Sequence, residues 1–425
     1  MAAKYTKSCP TAPVDLHESV CDDLKFWSSS SLKNTEEDAM SRKISLSAPH
    51  TSLVLGQSNN AYDTQPVELI MAAVLYSFGL VFPERALPVM HFEGHGRQAT
   101  NDNMDVSRTV GWFTTIAQVQ ATSHQLHKLV RQIKDIRANT QNGGLSQFCH
   151  QTLSADGDDI RLPFELLFNY AGMFQQLERP DAILREVRDM DVALHDVDMQ
   201  LPRFSLFAIE VGVSEGKLNV ELIYNRHIRH TDRVLYWMQK CRDTLSEIAE
   251  TFSHSFQGMS ICQLPRFDGS YDELDLVTQH AVAQCGLSTP EGIADLSPAS
   301  PMQEYMIAAE ALRPGLLNSY FAFAIRGLDC QGGSLRKAID TAWQQVVNKH
   351  DILRTVFVND PAKSDTTWQV VLKTFRVDIR EGAMTRTDCL QALLAKPPVP
   401  YNKGTPHHSF TLYHDPVGPP FASLI

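Results

Sequence analysis

The sequence predicts an α+β protein in which mixed β-sheets are flanked by helices. Three observations predict this class. In the first half, two alternating strands across a tight turn precede a long amphipathic helix, and in the second half an amphipathic helix precedes alternating strands. A stretch without periodicity separates the two halves. Helices and strands therefore form two separate units.

Length and composition divide the chain further. The 425 residues, 43% of them hydrophobic, suffice for two or three compact units. Residues 1–50 are rich in polar and charged side chains, so they are predicted to be poorly ordered. Gln257–Glu273 contains Pro265 and Gly269 without periodicity, and residues 257–285 are therefore assigned to a linker. This leaves lobes at 51–256 and 286–425.

The first lobe begins with a helix. Thr64 can cap a helix that Pro66 starts, since proline has no backbone N–H to lose. The apolar stretch Pro66–Phe82 contains Glu68 and is too short to span a bilayer, so a buried helix is predicted rather than a membrane segment. Ala86–Phe92 is predicted to be a strand.

Later in this lobe, residues 119–138 have helical spacing. Residues 204–213 and 218–224 alternate in polarity, and Gly216 between them suits a tight hairpin turn. A long amphipathic helix is predicted over Thr231–Phe252.

The second lobe shows one helical stripe followed by strands. Apolar residues between Leu335 and Val347 recur every three or four positions, which predicts a helix with one buried face. Ile352–Val358 and Trp368–Lys373 then alternate as strands. A sheet or another helix must cover the apolar stripe of the helix.

Charge and cysteine content exclude several functions. The net charge of −11 opposes a nucleic-acid-binding surface, which needs clustered Lys and Arg. Eight cysteines without a Cys-x-x-Cys pair favour reduced thiols and a cytoplasmic protein. Met1–Val20 lacks the apolar core of a signal peptide. We therefore expect no nucleic acid and no membrane among its partners.

Two histidine groups could suggest a metal, but neither is a good site. His91 and His95 flank Glu93, yet Gly94 and Gly96 break the helix that His-x-x-x-His ligation requires. His407, His408 and His414 have only Asp415 as an accompanying ligand type, so a solvated strand edge is predicted. No metal is expected.

Five segments of the chain resemble the condensation superfamily of nonribosomal peptide synthetases. Three of them, Glu93–Gln98, Ser107–Thr114 and Phe168–Gly172, resemble the second half of an epimerization domain. The other two, Ser297–Glu304 and Lys349–Phe357, resemble the opening half of a condensation domain. The resemblance covers roughly residues 50–425 and implies two half-domains of the chloramphenicol-acetyltransferase-like fold.

The resemblance also implies a substrate and a missing loop. Domains of this family act on thioesters that peptidyl carrier domains deliver on phosphopantetheine, and they bind no cofactor of their own. A His-His-x-x-x-Asp-Gly loop supplies the proton-transfer histidine. Here the only adjacent histidines are His407 and His408, and Leu412 stands where the Asp would be. Both histidine loops are expected to lie outside the chain, which should be inactive alone.

The resemblance assigns Glu93 as the catalytic candidate, since a carboxylate there can exchange an α-proton with a partner base. The alternative is that Glu93 only ties down a turn. Supporting structural roles fall to His95, Arg97, Arg108, Asn169, Tyr170, His350 and Arg354. Arg354 either braces the histidine loop or pairs with a buried carboxylate to fix its strand.

The sequence departs from the epimerization pattern at three places. Gln98 replaces the usual Glu, Gln118 replaces a Pro, and residues 143–148 lack an expected Tyr. Two other functions therefore stay open, namely a split-enzyme subunit completed by neighbouring polypeptides and a non-catalytic protein that docks carrier domains. Because each lobe is half of a domain, self-association through uncovered apolar faces is also expected.

Overall fold

The computed structural model describes residues 24–27, 33–97, 106, 108–111, 113–140, 144, 164–173, 183, 197–254, 256–316, 319, 321–325, 333–363, 366–385, 387–389, 391, 404–416 and 420–424. The chain divides into two compact units, residues 1–256 and 257–425. Both contain mixed sheets with helices, which confirms the predicted α+β class. The predictions on Gln98, on residues 145–148 and on residues 1–23 and 28–32 lie outside the described residues.

The first unit is built around one six-stranded sheet in the order β1-β6-β5-β4-β2-β3. Its strands are β1 (Ala39–Ser45), β2 (Met90–Gly94), β3 (Thr115–Val119), β4 (Phe164–Met173), β5 (Ser205–Ser214) and β6 (Lys217–Asn225). The three central strands β2, β4 and β5 are parallel, and the other pairs are antiparallel. The predicted hairpin is β5–β6, with Gly216 at a positive φ of 71° in its turn.

Helices cover one face of this sheet. They are α1 (Ala48–Leu55), α2 (Pro66–Val81), α3 (Leu126–Asn139) and α4 (Thr231–Thr251). Helix α2 is buried along most of its length, as its apolar sequence predicts. Trp237 of α4 donates a 3.0 Å hydrogen bond to the Val74 carbonyl of α2. Alternate residues of β5, such as Ile209 and Val211, belong to this core, and Glu210 between them faces the other side of the sheet.

Two structural details of α2 bear on the predictions. The N-cap is Gln65 rather than Thr64, and the Glu68 carboxylate accepts a 2.8 Å hydrogen bond from the Gln65 N–H. No single helix among the described residues is long and apolar enough to cross a membrane, and only the bent pair Ala48–Ala61 and Pro66–Val81 passes such a test, by length and composition.

The N-terminal segment differs from the prediction of poor order over residues 1–50. Among its described residues, Trp27 is completely buried, and β1 pairs along its whole length with β6. The strand was overlooked because it lies at the sheet edge, where its side chains are mostly exposed and polar. Backbone pairing, rather than an apolar pattern, fixes it in place.

The second unit contains two smaller sheets. The strands β7 (Ile293–Pro298), β10 (Thr367–Leu372) and β9 (Thr355–Asn359) form one sheet in that order. The second sheet has the order β11 (Ile379–Ala383), β12 (Phe410–His414), β13 (Phe421–Leu424) and β8 (Phe321–Ala324). The helices are α5 (Tyr271–Cys285), α6 (Pro301–Leu312) and α7 (Gly333–Lys349).

The segment assigned to a linker, residues 257–285, is largely structured within the second unit. Helix α5 occupies its second half and buries Leu274, Val277 and Ala281. A Ser270–Glu273 capping box starts the helix, and Gly286 ends it in the left-handed conformation. The helix differs from the predicted linker because the residues before Ser270 have no periodicity that would indicate its start.

Apolar side chains are exposed on part of the second unit. Tyr305 of α6 is 71% exposed, and Phe321 and Phe323 of β8 are more than half exposed and stack with ring centroids 6.4 Å apart. Self-association through such residues stays a prediction.

Candidate functional site

A row of polar side chains crosses the face of the first sheet that points away from its described apolar core. Asn169 of β4 is paired in register with Glu210 of β5, and Glu210 is paired with Glu221 of β6. On the other side, Phe92 is paired with Phe168, and Glu93 and Asn169 are the next residues of these two parallel strands. We call Glu93, Asn169, Glu210 and Glu221 the polar row. Its members occupy four adjacent strands and are half-buried.

The pKa of Glu210 depends on the other members of the polar row. Burial raises the pKa of Glu210, and the negative charges of Glu93 and Glu221 raise it further, while a hydrogen bond from Asn169 lowers it. Burial also raises the pKa of Glu93. A carboxyl group with a raised pKa keeps its proton closer to neutral pH, which suits proton exchange.

Beyond Glu93 the chain makes a turn that only glycine allows. Gly96 has a φ of +59°, and a Cβ at this position would lie 1.6 Å from the Phe113 carbonyl oxygen. Any other residue would therefore push apart the segments that contain Gly96 and Phe113. The close approach brings the first two family-like segments together.

Arg97 also holds together the segments that contain Gly96 and Phe113. Its guanidinium donates hydrogen bonds to the backbone carbonyls of Val106 (3.3 Å), Thr109 (2.6 Å) and Gly111 (3.1 Å). It also lies over the Phe113 ring, 4.6 Å from the centroid. Arg97 therefore organises the loop that precedes β3, at the carboxyl end of β2.

The other assigned residues of this unit are not brought into the polar row. His95 is exposed, and its Nδ1 accepts a 3.0 Å hydrogen bond from the Arg97 N–H. Arg108 is exposed. Tyr170 follows Asn169 and lies on the opposite face, packed against the core, and burial raises its pKa. Of the assigned residues, Glu93 and Asn169 are thus the ones that share the row.

Glu210 and Glu221 are not among the residues that the sequence predicts for the site, and His91 appears there only as a rejected metal ligand. The two glutamates stand at half-buried positions of the predicted hairpin, a weak signal that only strand order makes meaningful. His91 is 7% exposed, lies 3.0 Å from the Gln118 amide nitrogen through its Nε2, and stacks on Phe164 at 4.0 Å. Among the described residues, no three His, Cys, Asp or Glu side chains are arranged to hold a metal.

His91 makes the stability of the first unit depend on pH. Burial lowers its pKa from 6.5 to about 4. Below pH 6.5 His91 is protonated in the unfolded chain but stays neutral in the folded chain. The free energy of unfolding therefore falls as the pH drops from 6.5 to 4. The shift in the His91 pKa corresponds to a loss of about 3 kcal/mol in the free energy of unfolding. Urea unfolding between pH 4 and 7 should show this loss, and His91→Gln should flatten it.

The exposed His254 provides the control. His254→Gln should leave the pH dependence of unfolding as it is in the unsubstituted chain. If His91→Gln unfolded with the original pH dependence, the buried neutral imidazole would not be its source.

In the second unit, Arg354 is buried and binds backbone carbonyls rather than a buried carboxylate. It donates to Val347 (3.0 Å) and Asn348 (3.3 Å) at the end of α7, and to Leu372 and Lys373 (3.2 Å) at the end of β10. The acidic partner of Arg354 among the described residues is Asp351, whose side chain is mostly exposed. The expected buried carboxylate is therefore replaced by carbonyls.

The second unit contains two of the histidines considered in the sequence, His350 and His408. His350 is exposed at the end of α7. The prediction of a solvated edge is wrong for His408, whose Nε2 donates to the Leu353 carbonyl at 2.8 Å and whose ring contacts Trp343 and Phe375 edge-on. Neighbouring aromatic residues, distant in sequence, partly bury the His408 side chain.

The first family-like segment of this unit starts a helix. Ser300 and Gln303 form a reciprocal capping box at the N-terminus of α6, with the Ser300 N–H donating to the Gln303 side chain at 2.8 Å. Gln303 also donates to Gln369 of β10 at 2.9 Å. The residues of this segment thus have a structural role.

Comparison with known proteins gives relatives of one kind. No protein-family model matches the chain. Nonribosomal peptide synthetase ungA' of Aspergillus campestris is 32% identical over 97% of the chain, and malformin synthetase mlfA of Aspergillus sclerotiicarbonarius is 31% identical over 92%. Nonribosomal peptide synthetase 1 of Aspergillus fumigatus is 28% identical over 97%. The chain spans only 4%, 8% and 7% of these proteins, respectively.

Similar solved structures include the epimerization domain from the third module of tyrocidine synthetase B, with a TM-score of 0.45 and 19% identity over 59% of this chain and 58% of that one. Another is the EpoB cyclization-docking bidomain from Sorangium cellulosum, with a TM-score of 0.35 and 12% identity over 59% and 49% of the two chains.

The sequence relatives match nearly the whole length of the chain, and each of the three is a peptide synthetase. The chain therefore belongs to the nonribosomal peptide synthetase family, where it corresponds to a small part of each relative.

Proposed function

We propose that the first unit is the second lobe of an epimerization domain, which inverts L-aminoacyl or peptidyl thioesters to the D form. The observation that supports this most is the convergence of the three epimerization-like segments. Arg97 binds the carbonyls of Thr109 and Gly111, and Glu93 and Asn169 directly follow the register pair Phe92 and Phe168. Parallel strands β2, β4 and β5 end at the same sheet edge, which is where α/β sheets commonly bind ligands.

The proposed chemistry is an exchange of one proton. A base removes the α-proton from one face of the substrate, and an acid returns a proton to the opposite face, so no redox partner is needed. Glu93 would serve as the acid or base on one side, since burial raises the pKa of its carboxyl group. A histidine loop of another polypeptide segment would supply the group on the other side.

We propose that the second unit is the first lobe of a condensation domain, whose reaction is amide bond formation. The Ser297–Glu304 and Lys349–Phe357 segments support this assignment, because they form the capped start of α6 and the α7–β9 connection. The proposed partners of both units are peptidyl carrier domains in the cytoplasm, which present substrates on phosphopantetheine.

The 425-residue chain is expected to be inactive alone, because it contains no His-His-x-x-x-Asp-Gly segment. The test mixes the purified chain with a carrier domain loaded with an L-aminoacyl phosphopantetheine and follows chirality by chromatography and α-proton exchange in D2O. We expect no inversion above background. Adding a first-lobe polypeptide with the histidine loop should restore inversion, and Glu93→Gln should then lower the rate by about 10²–10⁴-fold.

Glu247 on the exposed face of α4 gives the matched control, and Glu247→Gln should behave like the unsubstituted chain. Inversion by the chain alone that disappears in Glu93→Gln would disprove the expected inactivity. Restored inversion that is unaffected by Glu93→Gln would disprove the role of Glu93 and support the turn-fixing alternative.

A further inference from the structure

We infer that Glu210 is a positioning residue for Glu93: it holds the Asn169 amide and, from two strands away, sets the charge that Glu93 carries. This inference rests on the proposed function for its catalytic meaning. Its physical content, a coupling between two side chains, can be measured without any activity. None of the family-like segments contains Glu210.

The first step is geometric. Glu210 and Asn169 are register partners on neighbouring parallel strands, and Glu93 follows Phe92, whose register partner Phe168 precedes Asn169. Strands in a sheet are about 4.8 Å apart, so Glu93 and Glu210 lie on strands about 10 Å apart with Asn169 between them. The three side chains alternate away from the apolar core and face the same side of the sheet.

The second step concerns the Asn169 amide. Its side chain hydrogen-bonds with Glu210, and a carboxylate can only accept, so the Asn169 NH2 group donates. This bond orients the amide and directs its carbonyl oxygen away from Glu210. Without Glu210 the amide would lose this partner on a half-buried face.

The third step is the charge environment. Glu210 is close enough to Glu93 for their negative charges to interact, and Glu221 acts on Glu210 from the other side. Other described polar groups on this side include His91 on β2 and Gln118 on β3, whose side chains contact each other. Beyond Glu210 they include Lys217 and Asn219 on β6 and the exposed Lys43, the register partner of Glu221 on β1. No described cation stands between Glu93 and Glu210 in the register, so adding charge at one disfavours charge at the other.

The experiment titrates Glu93 in the full chain labelled with ¹³C at the glutamate carboxyl carbon. The Glu93 signal is assigned by its absence from Glu93→Gln. In Glu210→Gln, which keeps a side chain able to bond with Asn169, the titration midpoint of Glu93 should fall by about 0.3–1 pH unit, because a neighbouring negative charge is gone. Glu247→Gln is the control and should leave the midpoint unchanged.

A second variant separates charge from hydrogen bonding. Glu210→Ala should give the same fall in midpoint and should also change the Asn169 side-chain amide signals, whereas Glu210→Gln should change them less. A Glu93 midpoint that is the same in both variants as in the unsubstituted chain would overturn the inference.

The proposed function is judged by a different readout. When inversion is restored by a first-lobe polypeptide, Glu210→Gln should shift the acidic limb of the pH–rate profile in the same direction as the Glu93 midpoint. A shifted midpoint without any Glu93-dependent inversion would support the coupling and reject the proposed function. If inversion depends on Glu93 but its pH–rate profile is the same in Glu210→Gln, the result would support the proposed function and reject the positioning role of Glu210.

Discussion

Replacing Glu165 by alanine is expected to lower the free energy of unfolding of the first unit by about 3–5 kcal/mol. Glu165 is buried, forms an ion pair with the buried Arg85, and accepts a 2.6 Å hydrogen bond from the Trp27 indole nitrogen. Removing the carboxylate leaves the Arg85 charge without its buried counter-ion and takes a partner from Trp27. Urea unfolding followed by circular dichroism measures the loss.

The same substitution should loosen the N-terminal segment. The Arg85 guanidinium also lies over the rings of Phe26 and Trp27, at 5.1 and 5.5 Å from their centroids. Because Glu165 holds Arg85 in place, hydrogen exchange of residues 24–27 and of β1 should become faster in Glu165→Ala. Faster exchange would connect the loss of stability to the docking of this segment.

Glu84 offers the matched control for Glu165. Its carboxylate also pairs with an arginine, Arg233, at 2.6 Å, but both side chains are exposed. Water replaces a lost partner at such a site, so Glu84→Ala should destabilise the unit much less. Glu165→Gln should fall between the two, since an amide can still accept from Trp27. If Glu84→Ala and Glu165→Ala lowered the free energy of unfolding equally, burial of the Glu165–Arg85 pair would make no contribution to stability.

The regular elements of the fold could be predicted from local sequence. The helix expected over Thr231–Phe252 is observed over Thr231–Thr251, and the β5–β6 hairpin lies within one residue of its expected ends. Both depend on periodicity and on turn residues, which act over a few positions. The edge strand β1 could not be predicted in this way, because its partner β6 is more than 170 residues away and its side chains are mostly polar and exposed.

The candidate site shows the same limit. Glu93 and Asn169 could be found from the segments that resemble a known family, but their alignment depends on the order β2-β4-β5 in the sheet. Glu210 joins them only through that order, since nothing around it in the sequence differs from an ordinary half-buried strand. Pairing of distant strands is therefore the information that the sequence patterns lacked.

Arg354→Ala is expected to destabilise the second unit by about 3–4 kcal/mol, because its guanidinium satisfies carbonyls that would otherwise be buried without a donor. These carbonyls belong to the last residues of α7 and to Leu372 and Lys373 at the end of β10. The substitution should therefore destabilise the C-terminal end of α7 and the end of β10 together. Hydrogen exchange of peptides from residues 333–349 and 367–373 in the full chain measures the effect locally.

Two further variants identify the cause of this effect. Arg354→Lys keeps the charge but offers a compact ammonium in place of the planar fork, so it should recover only part of the stability. Arg266 pairs with Asp295 at 2.9 Å on the surface, and Arg266→Ala should cost less than about 1 kcal/mol. If Arg354→Lys had the full stability of the unsubstituted chain, the positive charge alone would hold α7 and β10 in place. The several hydrogen bonds from the guanidinium to backbone carbonyls would then not be required.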